Sequence, residues 1–395
     1  VTGSDAYTYA QTAGNVWARR KTTTTPTATT TPDPTPAPTS TGTNPRDALV
    51  SGTYKPDATN TGVIAGITLT PYNTGGAVLN ITTADTIFAN LDIYGDLNIQ
   101  APGVQFINCR LRGGTNWPTG QDAVADCRSA TVLSRVTDIA PWDGVPYFED
   151  CTIYAQRPSY YRDGIDGHAW VKRCNIYNTN DGIGSYNTDT SSTTKGSRLK
   201  VEGSWIHELI YWAPEPAHAD GTHNDLIQLQ CGGYVHIIGN YLQGTVKLGD
   251  DRAYPDPDGT AYAGGSLSTD LTAKPGTFTQ TNGDGVGHIQ GAGTLIQCNS
   301  WGGVLMKALD NNVIVEQNWY SNGGMSGNLK DGVYVFQNNT IRRTAFYYWN
   351  GTLSNEYPIR PTSSTTGAKV TGLYTTNKYE DNGEILTVAN GGIRY

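Results

Sequence analysis

Apolar and polar positions alternate along this chain in short runs that repeat with a fixed internal layout. Val104-Gln-Phe-Ile-Asn-Cys-Arg-Leu111 reads apolar, any, apolar, any, bend, small, any, apolar. The layout recurs over 146–153, 169–176, 199–206, 235–242, 293–300, 313–320 and 333–340. Alternation puts two apolar side chains on one face of a short strand. Asn, Asp or Gly at the bend tolerates left-handed backbone. A small residue then turns inward: Cys109, Cys151, Cys174, Ser204, Asn240, Cys298, Asn318 and Asn338. Stacked coils place equal positions above one another, so these eight should form an inward column, with Asn240 or the pair Asn318 and Asn338 forming amide ladders. The spacing predicts an all-β fold, a right-handed parallel β-helix over residues 44–351. Strand-like runs at 77–82 and 86–99 supply the first coils. The polar, Gly- and Pro-rich stretch 250–283 reads as a loop bulging from the wall. Residues 352–395, with strands expected at 368–374 and 385–389, read as a C-terminal cap or oligomerisation segment.

Composition sets the other boundary. Between Thr22 and Thr43, 12 residues are Thr and 5 are Pro, too polar to bury a core and biased to extended geometry. This linker could reach roughly 70 Å at about 3.1 Å per residue, and it separates 1–21, read as a docking peptide, from the rest. A net charge of −8 argues against a nucleic-acid binder, which needs a basic face. No apolar run approaches the length of a membrane span, and residues 1–20 lack the order of a signal peptide. The six cysteines form no CxxC pair and no zinc spacing, so free buried thiols are expected and no metal.

Ser51–Val63, Phe106–Gly114 and Pro216-Ala-His-Ala-Asp-Gly-Thr-His-Asn-Asp-Leu-Ile-Gln228 resemble β-helix minor tail proteins of long-tailed phages of actinobacteria, and also secreted β-helix proteins of the same bacteria. The resemblance covers about 44–351. It implies a tailspike-like virion component at the tail tip, a homotrimer, that meets host cell-surface polysaccharide. The N-terminal segment would then join other phage tail proteins, with a secreted protein as the alternative location. Free cysteines suit assembly in a reducing cytoplasm.

The densest polar cluster holds His218, Asp220, His223 and Asp225, with Trp205, Tyr211 and Trp212 just upstream. Alternate residues of an extended strand share a face, so His218 aligns with Asp220, and His223 with Asp225. Carboxylate pairs can act on a glycosidic bond, histidine can shuttle protons, and the aromatic rings can stack on sugars. These seven are the candidate ligand-binding residues, with no catalytic residue and no cofactor assigned. The competing reading is a hydrogen-bonded corner of the helix. HxDGxHxD also permits a metal, and Asp250–Asp258 permits calcium, without the EF-hand spacing. Asp163-Gly-Ile-Asp-Gly-His168, Asp181-Gly-Ile-Gly184 and Asp284-Gly-Val-Gly-His288 faintly resemble polygalacturonase-type hydrolases, but Asp-Gly is also an ordinary turn dipeptide. Host-surface recognition is the expected function, with a polysaccharide hydrolase or lyase and a structural tail spacer as alternatives.

Overall fold

A computed structural model describes residues 55–116, 122–130, 144–185, 197–211, 224–229, 232–244 and 246–248, with single positions such as Arg46, Trp142 and Thr222. It also describes strands at 7–12, 16–21, 293–295, 306–310, 313–316, 333–341, 346–347, 353–354 and 372–373, and residues 376–379 and 381–393. The linker 22–43, the loop 250–283, and Cys231, Cys298 and Asn318 lie outside the described residues. No α-helix occurs among those described, and none is long and apolar enough to cross a membrane.

Three parallel sheets carry the architecture, and the chain visits them in rotation as far as Val313–Glu316, after which the described strands alternate between the second and third. A first sheet starts at Leu79–Ile81 and a second at Ile87–Ala89. A third starts at Thr70–Tyr72. Each strand pairs in parallel with its counterpart one coil away, as Tyr147–Glu149 does with both Gln105–Ile107 and Trp170–Lys172. The core is a set of inward columns. Phe88, Phe106 and Phe148 stack at centroid separations of 4.9 and 5.1 Å, with Val171, Val201 and Ile237 continuing the column in register. Cys109, Cys151, Cys174, Ser204 and Asn240 are fully buried, in the expected column. Each of the three thiols faces a carbonyl of the neighbouring coil, Cys151 Sγ lying 3.4 Å from the Phe106 oxygen. Cys109, Cys127, Cys151 and Cys174 are free. Asn240 reaches down a coil, accepting from the Ser204 N–H at 2.8 Å and donating to the Val201 carbonyl at 2.9 Å.

The bend column has left-handed backbone, with φ of 57° at Asn90, 52° at Asn108, 54° at Asp150, 55° at Gly203 and 69° at Gly239. Arg173 occupies the same place at φ 53°. A bidentate pair with Asp150, both bonds 2.9 Å, and a further contact to Glu149 hold its buried guanidinium there.

Three of the eight expected copies are out of register. Asn338 is exposed at φ 57° and is therefore the bend, not the inward residue. Its neighbour Asn339 is buried and donates to Asn377 Oδ1 at 2.9 Å. Phe336 pairs with Leu309, which pairs with Ile237, so the copy slides by one residue. Val313 aligns with Tyr241 in the third sheet rather than with Val235 in the second, and Gly293 aligns with Asp225 in the first. Those two stretches were matched to the wrong side of the coil because apolar alternation looks alike on all three sheets. Beyond residue 351, Gly372–Leu373 and Lys378–Tyr379 extend the second and third sheets by another coil.

The chain reaches its first coil along the wall. Arg46 forms an ion pair with Asp150 at 2.9 Å and donates to the carbonyls of Asn60 and Gly62 at 2.6 and 3.1 Å. Lys55 Nζ lies 3.9 Å from the centroid of the Tyr241 ring. The Val63 N–H donates to Thr152 Oγ1 and the Ile64 N–H to Asn108 Oδ1, at 3.1 and 2.7 Å. Residues 55–64 thus descend the outside of the third sheet as a strap.

Candidate functional site

Of the seven expected ligand-binding residues, Trp212, His218, Asp220 and His223 lie outside the described residues. Tyr211 ends the strand Leu209–Tyr211, which pairs in parallel with Val246–Leu248. Trp205 opens a strand of the third sheet and Asp225 a strand of the first, so these two stand on different sheets.

Asp225 is buried, and its N–H donates to Asp181 Oδ1 at 2.8 Å. One coil below, the Asp181 N–H donates to Asp163 Oδ1 at 2.9 Å. Asp163, Asp181 and Asp225 therefore climb successive coils as a carboxylate ladder. An amide ladder runs beside it, Asn224 donating to Asn180 Oδ1 at 3.1 Å and Asn180 to Asp163 Oδ1 at 3.0 Å. The Asp-Gly dipeptides at 163 and 181 are thus ladder positions rather than turns. Their glycines serve close approach: a Cβ on Gly182 would stand 2.5 Å from both Ile206 Cγ2 and the Leu226 carbonyl oxygen.

Next to this ladder lies a group of acids. Asp126 and Asp166 are paired positions on adjacent parallel strands. Arg128 binds Asp126 through two bonds of 2.9 and 2.8 Å and stands 3.9 Å from Asp166. Asp166 is fully buried, and among the described residues no N–H or O–H reaches either oxygen. The Asp163 carboxyl is the strongest of the charges acting on it, ahead of Arg128, Asp126 and Asp181. Burial pushes Asp163 up to about 7, against its hydrogen bonds from Asp181 and Asn180. Burial, then the nearby Asp163 charge, raise Asp166 well above the usual carboxylate range. His168 is buried and neutral: desolvation, then Arg198, lower it to about 4, and its Nδ1 accepts the Arg198 N–H at 3.0 Å. No group of three or more His, Cys, Asp or Glu converges as metal ligands among the described residues.

The more open arrangement is on the outer face of the third sheet. Tyr94, Arg112, Tyr154, Tyr177 and His207 occupy one outward position on successive coils, each following an inward residue of the register Ile93, Leu111, Ile153, Ile176, Ile206. Tyr154 and Tyr177 stack at 5.3 Å and 4°, and Tyr177 and His207 at 5.4 Å and 25°. The Arg112 guanidinium lies 4.9 Å from the Tyr94 ring centroid and donates to the Tyr154 hydroxyl at 2.6 Å. Asp92 anchors that guanidinium at 2.6 and 2.7 Å. In the adjoining lane Trp205 stacks on His207 and on Tyr241, and its Nε1 donates to Gln243 at 3.0 Å. Tyr94, Tyr154, Tyr177 and Trp205 are half-buried. The strap residues 55–64 border this lane, with Lys55 over the Tyr241 ring and the Val63 N–H on Thr152. Its signal lay in the repeat: Arg112, Tyr154, Tyr177 and His207 each come three residues after the small inward residue.

Compared with known proteins, the chain matches no family model, no curated protein and no solved structure.

Proposed function

We propose that this chain is a minor tail protein of a phage of actinobacteria and that its solenoid wall binds host cell-surface polysaccharide along the third sheet. The observation that carries the binding reading is the row from Tyr94 to His207, with Trp205 beside it. Stacked rings spend their faces on one another and leave edges and polar tips toward solvent, the amphipathic presentation that suits aromatic residues at wet interfaces. Hydroxyls of Tyr154 and Tyr177 and the Arg112 guanidinium recur at the coil spacing of about 4.8 Å. A linear, hydroxyl-rich chain lying along the axis would meet the same chemistry at each step. Arg112 is fixed by Asp92 and Tyr154 before any ligand arrives, which lowers the ordering cost of binding. The tail assignment rests on the sequence resemblance and on the Thr/Pro linker that sets residues 1–21 apart as an attachment element.

The test is sedimentation of the full chain with purified host cell-wall polysaccharide. Tyr154→Ser with Tyr177→Ser should reduce the bound fraction at least tenfold while the melting temperature stays within a few degrees. Undiminished binding by a folded double variant would refute the third-sheet site. A second reading, a polysaccharide hydrolase, draws on the adjacent carboxyl groups Asp126 and Asp166. Release of new reducing ends from the same polysaccharide, abolished by Asp126→Asn, would favour it.

A further inference from the structure

One coil of the third sheet carries two outward guanidinium groups. Arg110 and Arg112 flank the inward Leu111, and residues two apart on a strand share a face. Asp92 faces them from the coil below and binds Arg112 through both oxygens, at 2.6 and 2.7 Å. Arg110 is left with a 3.4 Å approach to Asp92 Oδ2, and its side chain is 39% exposed. Two cations against one acid leave positive charge on this coil, in a chain whose total is −8. Tyr154 and Tyr177 stand on the next two coils. Burial raises both phenols above their ordinary value, against the nearby charges of Arg112 and Arg110. Their hydroxyls therefore keep their protons and lie within the field of both guanidinium groups. The Tyr154 oxygen already accepts from Arg112 at 2.6 Å, which leaves its O–H to donate. What this coil and its neighbours offer a ligand is thus a set of donors: a guanidinium, which has no acceptor, and two phenol O–H groups.

We propose, resting on the third-sheet reading, that the bound polysaccharide is anionic and that Arg110 takes its charged group, a carboxylate or a phosphodiester. A neutral sugar hydroxyl can meet such donors one at a time, but it leaves the Arg110 charge without a counter-charge. An oxyanion matches the planar fork of a guanidinium through two parallel bonds. Its remaining lone pairs can accept from the Tyr154 and Tyr177 O–H groups. Arg112 is not available for this part, because Asp92 and Tyr154 already hold it; it is the fixed neighbour that orients the Tyr154 hydroxyl. Glu208, 39% exposed and 3.8 Å from His207, follows the strand three coils up from Arg110. At about 4.8 Å per coil that is roughly 14 Å, beyond the screening length of about 8 Å at physiological salt, so the charge at Arg110 stands. The negative charge of the chain as a whole disfavours an anionic ligand, so affinity for one has to come from this coil.

The experiment is isothermal titration calorimetry of the full chain with three polymers of matched length: polygalacturonate, poly(glycerol phosphate) and neutral dextran. Arg110→Gln is compared with Lys378→Gln, which removes an exposed cation at the far end of the same lane. Arg112 keeps Asp92 in the first variant, so its melting temperature should not move. At least one anionic polymer should bind the wild-type chain at least tenfold more tightly than dextran. Arg110→Gln should remove that preference and Lys378→Gln should keep it. Preference for polygalacturonate identifies a carboxylate as the ligand group, and preference for poly(glycerol phosphate) a phosphodiester. Dextran binding as tight as both, an anionic preference that survives Arg110→Gln, or one lost equally in Lys378→Gln would each overturn the proposal. Titration of host polysaccharide, with Tyr154→Ser and Tyr177→Ser combined as a further variant, separates the two readings. Binding that needs the tyrosines but not Arg110 refutes the anionic ligand alone. Binding that needs neither refutes the third-sheet site and the anionic ligand with it.

Discussion

Asp166 keeps a carboxyl group fully buried near the Asp163 charge with no N–H or O–H donor on it among the described residues, a placement that is tolerable only if the group stays neutral. The consequence for pH can be worked out. Asp163 titrates near 7 in the folded chain and near 3.9 when unfolded. Between those values the folded state holds a proton that the unfolded state has released, so this pair's contribution to stability falls as pH rises through that window. His168 has the opposite slope. Its folded value of about 4 lies below the unfolded value of about 6.5, so stability is lost as pH falls from about 6.5 to 4. The two slopes partly cancel in the wild-type chain. Asp166→Asn removes the buried carboxyl on which burial and the Asp163 charge act most strongly. It should raise stability at pH 8 by on the order of 1–3 kcal/mol and expose a plain acid-side loss due to histidine. Chemical denaturation across pH 4–8 checks both; an unchanged pH profile would mean that the two carboxyls are not coupled. Nothing in the dipeptide Asp163-Gly164 foretold this, because burial and coil register, not composition, bring Asp163 and Asp166 together.

Described strands of this chain are two to seven residues long and specify little alone; the coil specifies them. Alternation, bend and small inward residue were legible from Cys109 to Asn240, where apolar periodicity and left-handed bends agree. Legibility failed beyond, at Gly293, Val313 and Asn338, where Asn-Asn and Gly-rich junctions allow a slip of one residue or of a whole side of the coil. The outward aromatic row is equally periodic, but an alternation that predicts burial says nothing about what the outward positions do. Of the expected site residues, Trp205 could be placed beside this row, whereas Asp225 joined a ladder whose other members came from dipeptides read as turns. The ladder explains why glycine follows Asp163 and Asp181 while Leu226 follows Asp225. Gly182 lies under Leu226 and Ile206 with no room for a methyl group. Gly182→Ala should destabilise the solenoid by about 1–3 kcal/mol through overpacking. Gly75, which meets nothing within 4 Å, should accept alanine without measurable cost. Thermal melts of the two variants, side by side, would separate tight coil packing from a general dislike of lost glycine; equal melting points would contradict the close approach seen at Gly182.

Across the whole molecule, stability grows by addition of neighbouring coils, and the N-terminal strap is the one described segment that crosses several coils at once. Arg46, Gly62, Val63 and Ile64 tie it to Asp150, Arg173, Thr152 and Asn108. Gly62 fits because its φ of 72° and its contact with Thr152 leave no place for a Cβ, which would stand 2.5 Å from Thr152 Oγ1. Arg46 therefore anchors the strap from beyond the Thr/Pro linker, and two truncations should behave differently. Removing residues 1–43 leaves every one of these contacts, so the melting temperature should match that of the full chain. Removing residues 1–54 deletes Arg46 and uncovers Asp150, which retains its bidentate bond to Arg173. The loss is then that of hydrogen bonds to a charged group, about 1.5–3 kcal/mol, rather than that of a stranded buried carboxylate. In a domain larger than 250 residues this is a shift of only a few degrees, so urea titration is the better measurement. Equal midpoints for the two truncations would show that the Arg46 anchor adds nothing to the wall.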